Sequence, residues 1–140
     1  MNWNTQEGEP RMNADERRER LNEVSRRIIG CAYAVANGLG CGFLEKVYEN
    51  ALAHELGKAG LKGQQQQAIA VRYEGVVVGE YLADLLVEES VVVEIKAVKT
   101  LDEVHLAQCL NYLKATGLHL ALLLNFGAPK LEIKRVVNAF

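Results

Sequence analysis

The stretch VVVGEYLADLLV (76–87), EES (88–90), VVVEIKAV (91–98) decides how this chain folds. Two runs rich in valine and leucine flank three polar residues, the pattern of antiparallel strands joined by a tight loop. A loop of three residues, Glu88 to Ser90, sets Val87 opposite Val91 and therefore Asp84 opposite Glu94. Side chains alternate along a strand, so Lys96 shares the face of Glu94, while Val93 and Ile95 point the other way into the core. Carboxylate-bearing residues directly opposite each other have Cβ atoms roughly 4.5–5.5 Å apart, where like charges are destabilising. A divalent cation relieves that repulsion. Hard cations such as Mg²⁺ take one or two carboxylates together with water and substrate phosphate, which Asp84 and Glu94 supply, and the backbone carbonyl of Ile95 is a further candidate ligand. Lys96 is then placed to orient or deprotonate an attacking water and to steady charge growing on a phosphate. The chemistry implied is hydrolysis. Two alternatives stand beside this reading. A loop of two or four residues turns Asp84 away from Glu94 and removes the site. An alternating strand also puts charges on its wet face by default, although LLV, VVV and the isoleucine inside EIK mark core strands, where charges need partners.

Outward from this hairpin, AIAVRYEG (68–75) reads as a preceding strand turning at Glu74-Gly75, with Gln64 to Gln67 as its polar entry. Earlier still, apolar residues recur at Leu21, Val24, Ile28, Ala32 and Val35, the spacing of an amphipathic helix over residues 14–37. Gly38, Gly40 and Gly42 interrupt that period before a second helix runs from Phe43 to Ala59. This glycine cluster follows a helix and lacks a G-K-[ST] ending, so it is no phosphate loop. Downstream, T-L-D-E from Thr100 predicts a capping box opening a third helix that ends at Gly117. Leu118 to Phe126 is an almost continuous apolar run, expected of a strand covered on both faces, and Leu131 to Val137 reads as an edge strand. The predicted class is α/β, a mixed sheet flanked by helices in the order ααβββαββ. Residues 1–13 read as a polar, flexible tail and 14–140 as a single domain.

Composition narrows the function. The 140 residues carry a formal net charge of −2, so no general cationic field holds a polyanion and contact with one must be local or metal-mediated. No apolar leader or membrane-spanning stretch is evident, which points to a soluble, cytoplasmic protein. Cys31, Cys41 and Cys109 are odd in number and scattered, and His54, His105 and His119 lack metal-site spacing, so soft-metal chemistry is disfavoured. Arg26, Arg27, Lys99, Lys114, Lys134 and Arg135 offer a local phosphate-binding rim, although scattered cations usually mark a solvated surface.

Asp84 followed by Glu94-Ile95-Lys96 resembles the D…(D/E)-x-K signature of the PD-(D/E)XK nuclease superfamily, and Gly42-Phe43-Leu44-Glu45-Lys46-Val47-Tyr48 resembles the signature of its GxxExxY family. The likeness extends to Gln108-Cys109-Leu110-Asn111-Tyr112 and Leu123-Leu124-Asn125-Phe126-Gly127. No proline precedes Asp84, where Ala83 stands. The resemblance implies a Mg²⁺- or Mn²⁺-dependent nuclease in which Asp84 and Glu94 hold metal and Lys96 is the catalytic lysine. Glu45 matches an acidic residue brought to that metal from an N-terminal helix, an ordinary solvated glutamate like Glu49 or Glu55 being the plainer reading. Tyr48 either packs in the core or reaches phosphate. Gln108 and Tyr112, spaced i and i+4 with His105 one turn earlier, resemble a Q-x-x-x-Y element that places substrate. The implied partner is nucleic acid, DNA ahead of RNA, and small size with an acidic pI favours a domain that works with a partner or as a homodimer. A catalytically inert binding module on the same fold is the rival reading.

Overall fold

The computed structural model describes residues 12–138. Three helices and five strands follow one another as α1 (Ala14–Leu39), α2 (Glu45–Lys58), β1 (Gly63–Tyr73), β2 (Val76–Val87), β3 (Val91–Lys96), α3 (Glu103–Thr116), β4 (Leu120–Asn125) and β5 (Glu132–Val137). The order is the ααβββαββ expected from the sequence. Of the predicted tail, only Met12 and Asn13 fall within the described residues, and Asn13 caps α1 through a reciprocal bond pair with Glu16.

The strands form one sheet in the order β1-β2-β3-β4-β5. Neighbours run antiparallel except β3 and β4, which are parallel because α3 carries the chain across between them. Helices α1 and α2 cover one face, where Ile28, Tyr48, Leu52 and Leu56 meet Leu85, Val93, Ile95 and Leu122. Helix α3 covers the other, where Cys109, Tyr112 and Leu113 meet Val92, Ala121 and Leu123. Every residue of β4 is buried, as a strand sandwiched between helix layers requires. Each fully buried leucine contributes roughly 1.5–3 kcal/mol, so these two layers hold the sheet in register.

Three local expectations need correction. Strand β1 begins at Gly63, so Gln64 to Gln67 lie within it, and the backbones of Gln64, Gln65 and Gln67 pair with β2 whatever their side chains prefer. The cap of α3 is Asp102, which accepts from Val104 and His105, and not Thr100. His105 is the reciprocal partner, its Nδ1 accepting from the Asp102 backbone amide. Helix α2 starts at Glu45, leaving Phe43 outside it. No helix among the described residues is long and apolar enough to cross a membrane.

Candidate active site

The hairpin register is the one the sequence implied: Val87 faces Val91, Leu86 faces Val92 and Leu85 faces Val93. There the ladder stops, one residue short of Asp84 and Glu94. In place of the next backbone rungs, the Asp84 amide donates to the Glu94 carboxylate at 2.9 Å and the Ile95 amide donates to the Asp84 carboxylate at 2.8 Å. Two side chains thus stitch the strands where they part. On the far side, Gln66 lies opposite the break with a φ of 53°, a conformation unusual for a residue other than glycine, and its amide also reaches Asp84.

Glu94 is only 4% exposed. Burial, then repulsion from Asp84, pushes its pKa up to about 8 against 4.5 for an ordinary glutamate, with Glu45 adding to the rise. Burial also raises Asp84, and the charge of Glu49 adds to it, while the Ile95 amide, Gln66 and Lys96 pull the other way. Lys96 makes no ion pair with either carboxylate among the described residues and acts on both through space. Val93 and Ile95 are buried on the opposite face, against α1 and α2.

From α2, two acids approach one helical turn apart. Glu45 accepts from the Ala97 amide at 3.3 Å, just past the end of β3. Glu49, which its local pattern does not separate from solvated glutamates, is 3% exposed. It accepts from Gln65, Gln66 and Lys46 at 2.7–3.1 Å. Its burial depends on glutamines 16 and 17 residues away in sequence, so local pattern carried no signal for it. From α3, Cys109 is fully buried beside the pair; burial, then Glu94, lifts its thiol to about 12, which keeps it neutral. Tyr112 is also lifted to about 12, by burial and then by Glu94 and Asp84. Gln108 is half-buried on the same helix and makes no hydrogen bond to these groups. The structure therefore brings together Asp84, Glu94, Lys96, Glu45 and Tyr112, adds Glu49 and Cys109, and gives Gln108 no bond to any of them.

Tyr48 stands apart from the substrate contact considered for it. Its ring is fully buried and stacked on Phe126 at 4.7 Å, and its hydroxyl donates to the Gly40 carbonyl at 2.6 Å and accepts from the Phe43 amide. The tyrosine of the glycine-glutamate-tyrosine motif therefore ties the loop before α2 to the end of β4. A second tie holds the chain leaving β3. Asn125, fully buried, accepts from the Val98 amide and donates to its carbonyl, and a Cβ on Gly127 would lie 2.4 Å from the Val98 nitrogen. These residues fix where Glu45 and Lys96 are held.

The oxygen-rich donor set suits a hard cation. No three His, Cys, Asp or Glu side chains among the described residues form a ready-made cage. Mg²⁺ needs none, because it keeps several waters and takes one or two carboxylates. Two carboxylates meet at the break, and the Ile95 carbonyl shares the strand edge of its amide, which faces Asp84. Burial and the neighbouring Asp84 charge, which push Glu94 up to about 8, are what a cation at this place would offset.

A model of the PD-(D/E)XK nuclease superfamily matches residues 22–136. No curated protein matches the chain. Among solved structures, the crystal structure of SSO0001 aligns with a TM-score of 0.50 at 18% identity, over 89% of this chain and 62% of that one. The present chain thus spans less than two thirds of that relative's length, and the likeness is one of fold.

Proposed function

Because the chain belongs to the PD-(D/E)XK nuclease superfamily, we propose that it is a Mg²⁺- or Mn²⁺-dependent phosphodiesterase acting on nucleic acid, DNA ahead of RNA, of the GxxExxY type. The observation that carries this reading is the break between β2 and β3, where Asp84 and Glu94 replace backbone rungs beside Lys96. Asp84, Glu94 and the Ile95 carbonyl would hold the cation, with Glu45 entering from α2. When bound, the cation would offset charge on the scissile phosphate and lower the pKa of a neighbouring water, so that a nucleophile is available at neutral pH. Lys96 orients the attacking water and steadies the charge that grows on the phosphate oxygens. Glu45, anchored on the Ala97 amide, fixes the chain immediately after Lys96. Tyr112 and Gln108, both on α3, position substrate. We place the protein in the cytoplasm, where three free cysteines are at home, working with a partner or as a homodimer.

A cleavage screen over single- and double-stranded DNA and RNA with Mn²⁺ tests the proposal. Wild type should cut at least one substrate, and Asp84→Ala and Lys96→Ala should cut none. Both carboxylates already accept backbone amides, a structural task that needs no metal, and this favours a second reading, an inert nucleic-acid-binding or protein-interaction module. Calorimetric titration separates the two, since only the enzyme has reason to bind Mn²⁺ in a way that Asp84→Ala abolishes.

A further inference from the structure

Beside the break, α3 and the outer hairpin enclose a cleft of about 440 Å³. Its lining includes Val71, Arg72, Tyr81, Asn111 and Lys114, and no carboxylate. A bulge borders it. The β1–β2 register slips opposite Val71 and Arg72, where β2 carries an extra residue, Val78, between their partners Gly79 and Val77, and both Val71 and Arg72 line the cleft. Neither Arg72 nor Lys114 makes an ion pair or side-chain hydrogen bond among the described residues. Other cations of the expected rim are committed elsewhere: Arg26 to Glu23, Arg27 to the Ala59 carbonyl and Arg135 to Asn22.

The floor is aromatic. Tyr81, half-exposed, leans on buried Tyr112 with ring centroids 5.6 Å apart. Tyr112 in turn lies close enough to Glu94 and Asp84 to feel their charge. The cleft and the carboxylate pair are therefore neighbours through one tyrosine.

We infer that this cleft is a binding subsite for a single-stranded nucleic-acid segment, with Tyr81 stacking a base, Arg72 and Lys114 holding flanking phosphates and Asn111 meeting a base edge or sugar. The inference rests on the nucleic-acid reading of the neighbouring site. Charge complementarity selects the occupant: in a chain of net charge −2, two cations converge where no acid lines the wall. One accessible ring selects the strand state, because a base paired and stacked in a duplex offers no free face.

Fluorescence anisotropy of wild type in EDTA, with short fluorescein-labelled oligothymidylate, oligouridylate and a duplex, tests the subsite without turnover. Arg72→Gln/Lys114→Gln should weaken single-strand binding by on the order of tenfold and reduce the salt slope by about 1.4, from roughly 0.7 per lost phosphate contact. Tyr81→Ala should cost on the order of tenfold, and Tyr81→Phe little. The two cations are at exposed positions; unchanged melting shows that the double variant is folded, and Arg72→Lys should restore most of the slope. Binding of either sugar with this dependence supports the subsite. Wild-type affinity and slope in the double variant overturn it, as does a duplex bound equally well with no effect of Tyr81, or equal competition by polyglutamate. If the dependence holds and no substrate is ever cut, the subsite stands and the hydrolytic reading falls. If cleavage occurs with KM unchanged in all groove variants, the reverse holds.

Discussion

Glu94→Gln should stabilise the metal-free protein at alkaline pH, by an amount that the structure sets. The amide keeps an oxygen to accept the Asp84 backbone N–H and removes the titration. In the wild type, burial and the Asp84 charge let folded Glu94 keep its proton to about pH 8, whereas the unfolded chain releases it near 4.5. Between those values the folded state binds more protons than the unfolded one, so stability falls as pH rises. The contribution is whole below about pH 4.5 and lost above about pH 8, and the raised Asp84 acts in the same direction. At about 1.4 kcal/mol per pH unit, this span bounds the loss at roughly 5 kcal/mol. Solvent at half-buried Asp84 and Lys96 screens it, leaving about 2–3 kcal/mol. At about 3 °C per kcal/mol for a chain of this size, the variant should melt roughly 5–10 °C above wild type at pH 8.5, and the two should coincide near pH 5. Scanning calorimetry in EDTA across that range reads the difference directly. Parallel curves for the two proteins would mean that Glu94 is ionised throughout and that burial and repulsion do not hold its proton.

Three further outcomes follow from the same geometry. At pH 8, Mn²⁺ at a hundredfold excess over Kd should raise wild-type stability by about 2.7 kcal/mol in thermal melts, and Asp84→Asn should abolish that shift. Tyr48→Phe leaves the Gly40 carbonyl and Phe43 amide without the shared hydroxyl and should cost about 1–2 kcal/mol in urea titrations, with single-strand affinity unchanged. Gly127→Ala pushes a methyl into Val98 backbone and should destabilise by more than about 2 kcal/mol, whereas Gly79→Ala, with open space at its Cβ, should cost under about 1 kcal/mol.

The hairpin was legible because its loop admits little choice. Once Glu88 to Ser90 is a three-residue turn, the facing of Asp84, Glu94 and Lys96 follows from alternation, and the flanking valines show which face is core. The apolar runs of α1 and β4 were legible for the same reason, a period imposed by burial. What sequence reading missed was decided by contacts distant along the chain. Glu49 has the same local surroundings as any helix glutamate and becomes buried only because Gln65 and Gln66 fold over it. The glutamine run reads as a polar entry to the strand by composition, yet the backbones of Gln64, Gln65 and Gln67 already join the ladder with β2. Arg72 lines the cleft opposite a bulge at Val78, which the run of valines at 76–78 does not announce.

The side-chain stitches between β2 and β3 also bear on how such a chain would lose or keep its activity over generations of mutation. Aliphatic or threonine residues at positions 84 and 94 would let the ladder close and would discharge the sheet, so selection for stability alone drifts toward an unbroken hairpin. On the metal-dependent reading, the function of the carboxylate pair offsets its cost to folding. Continuity of that one hairpin is then the feature expected to separate chains of this fold that keep the chemistry from chains that serve as scaffolds.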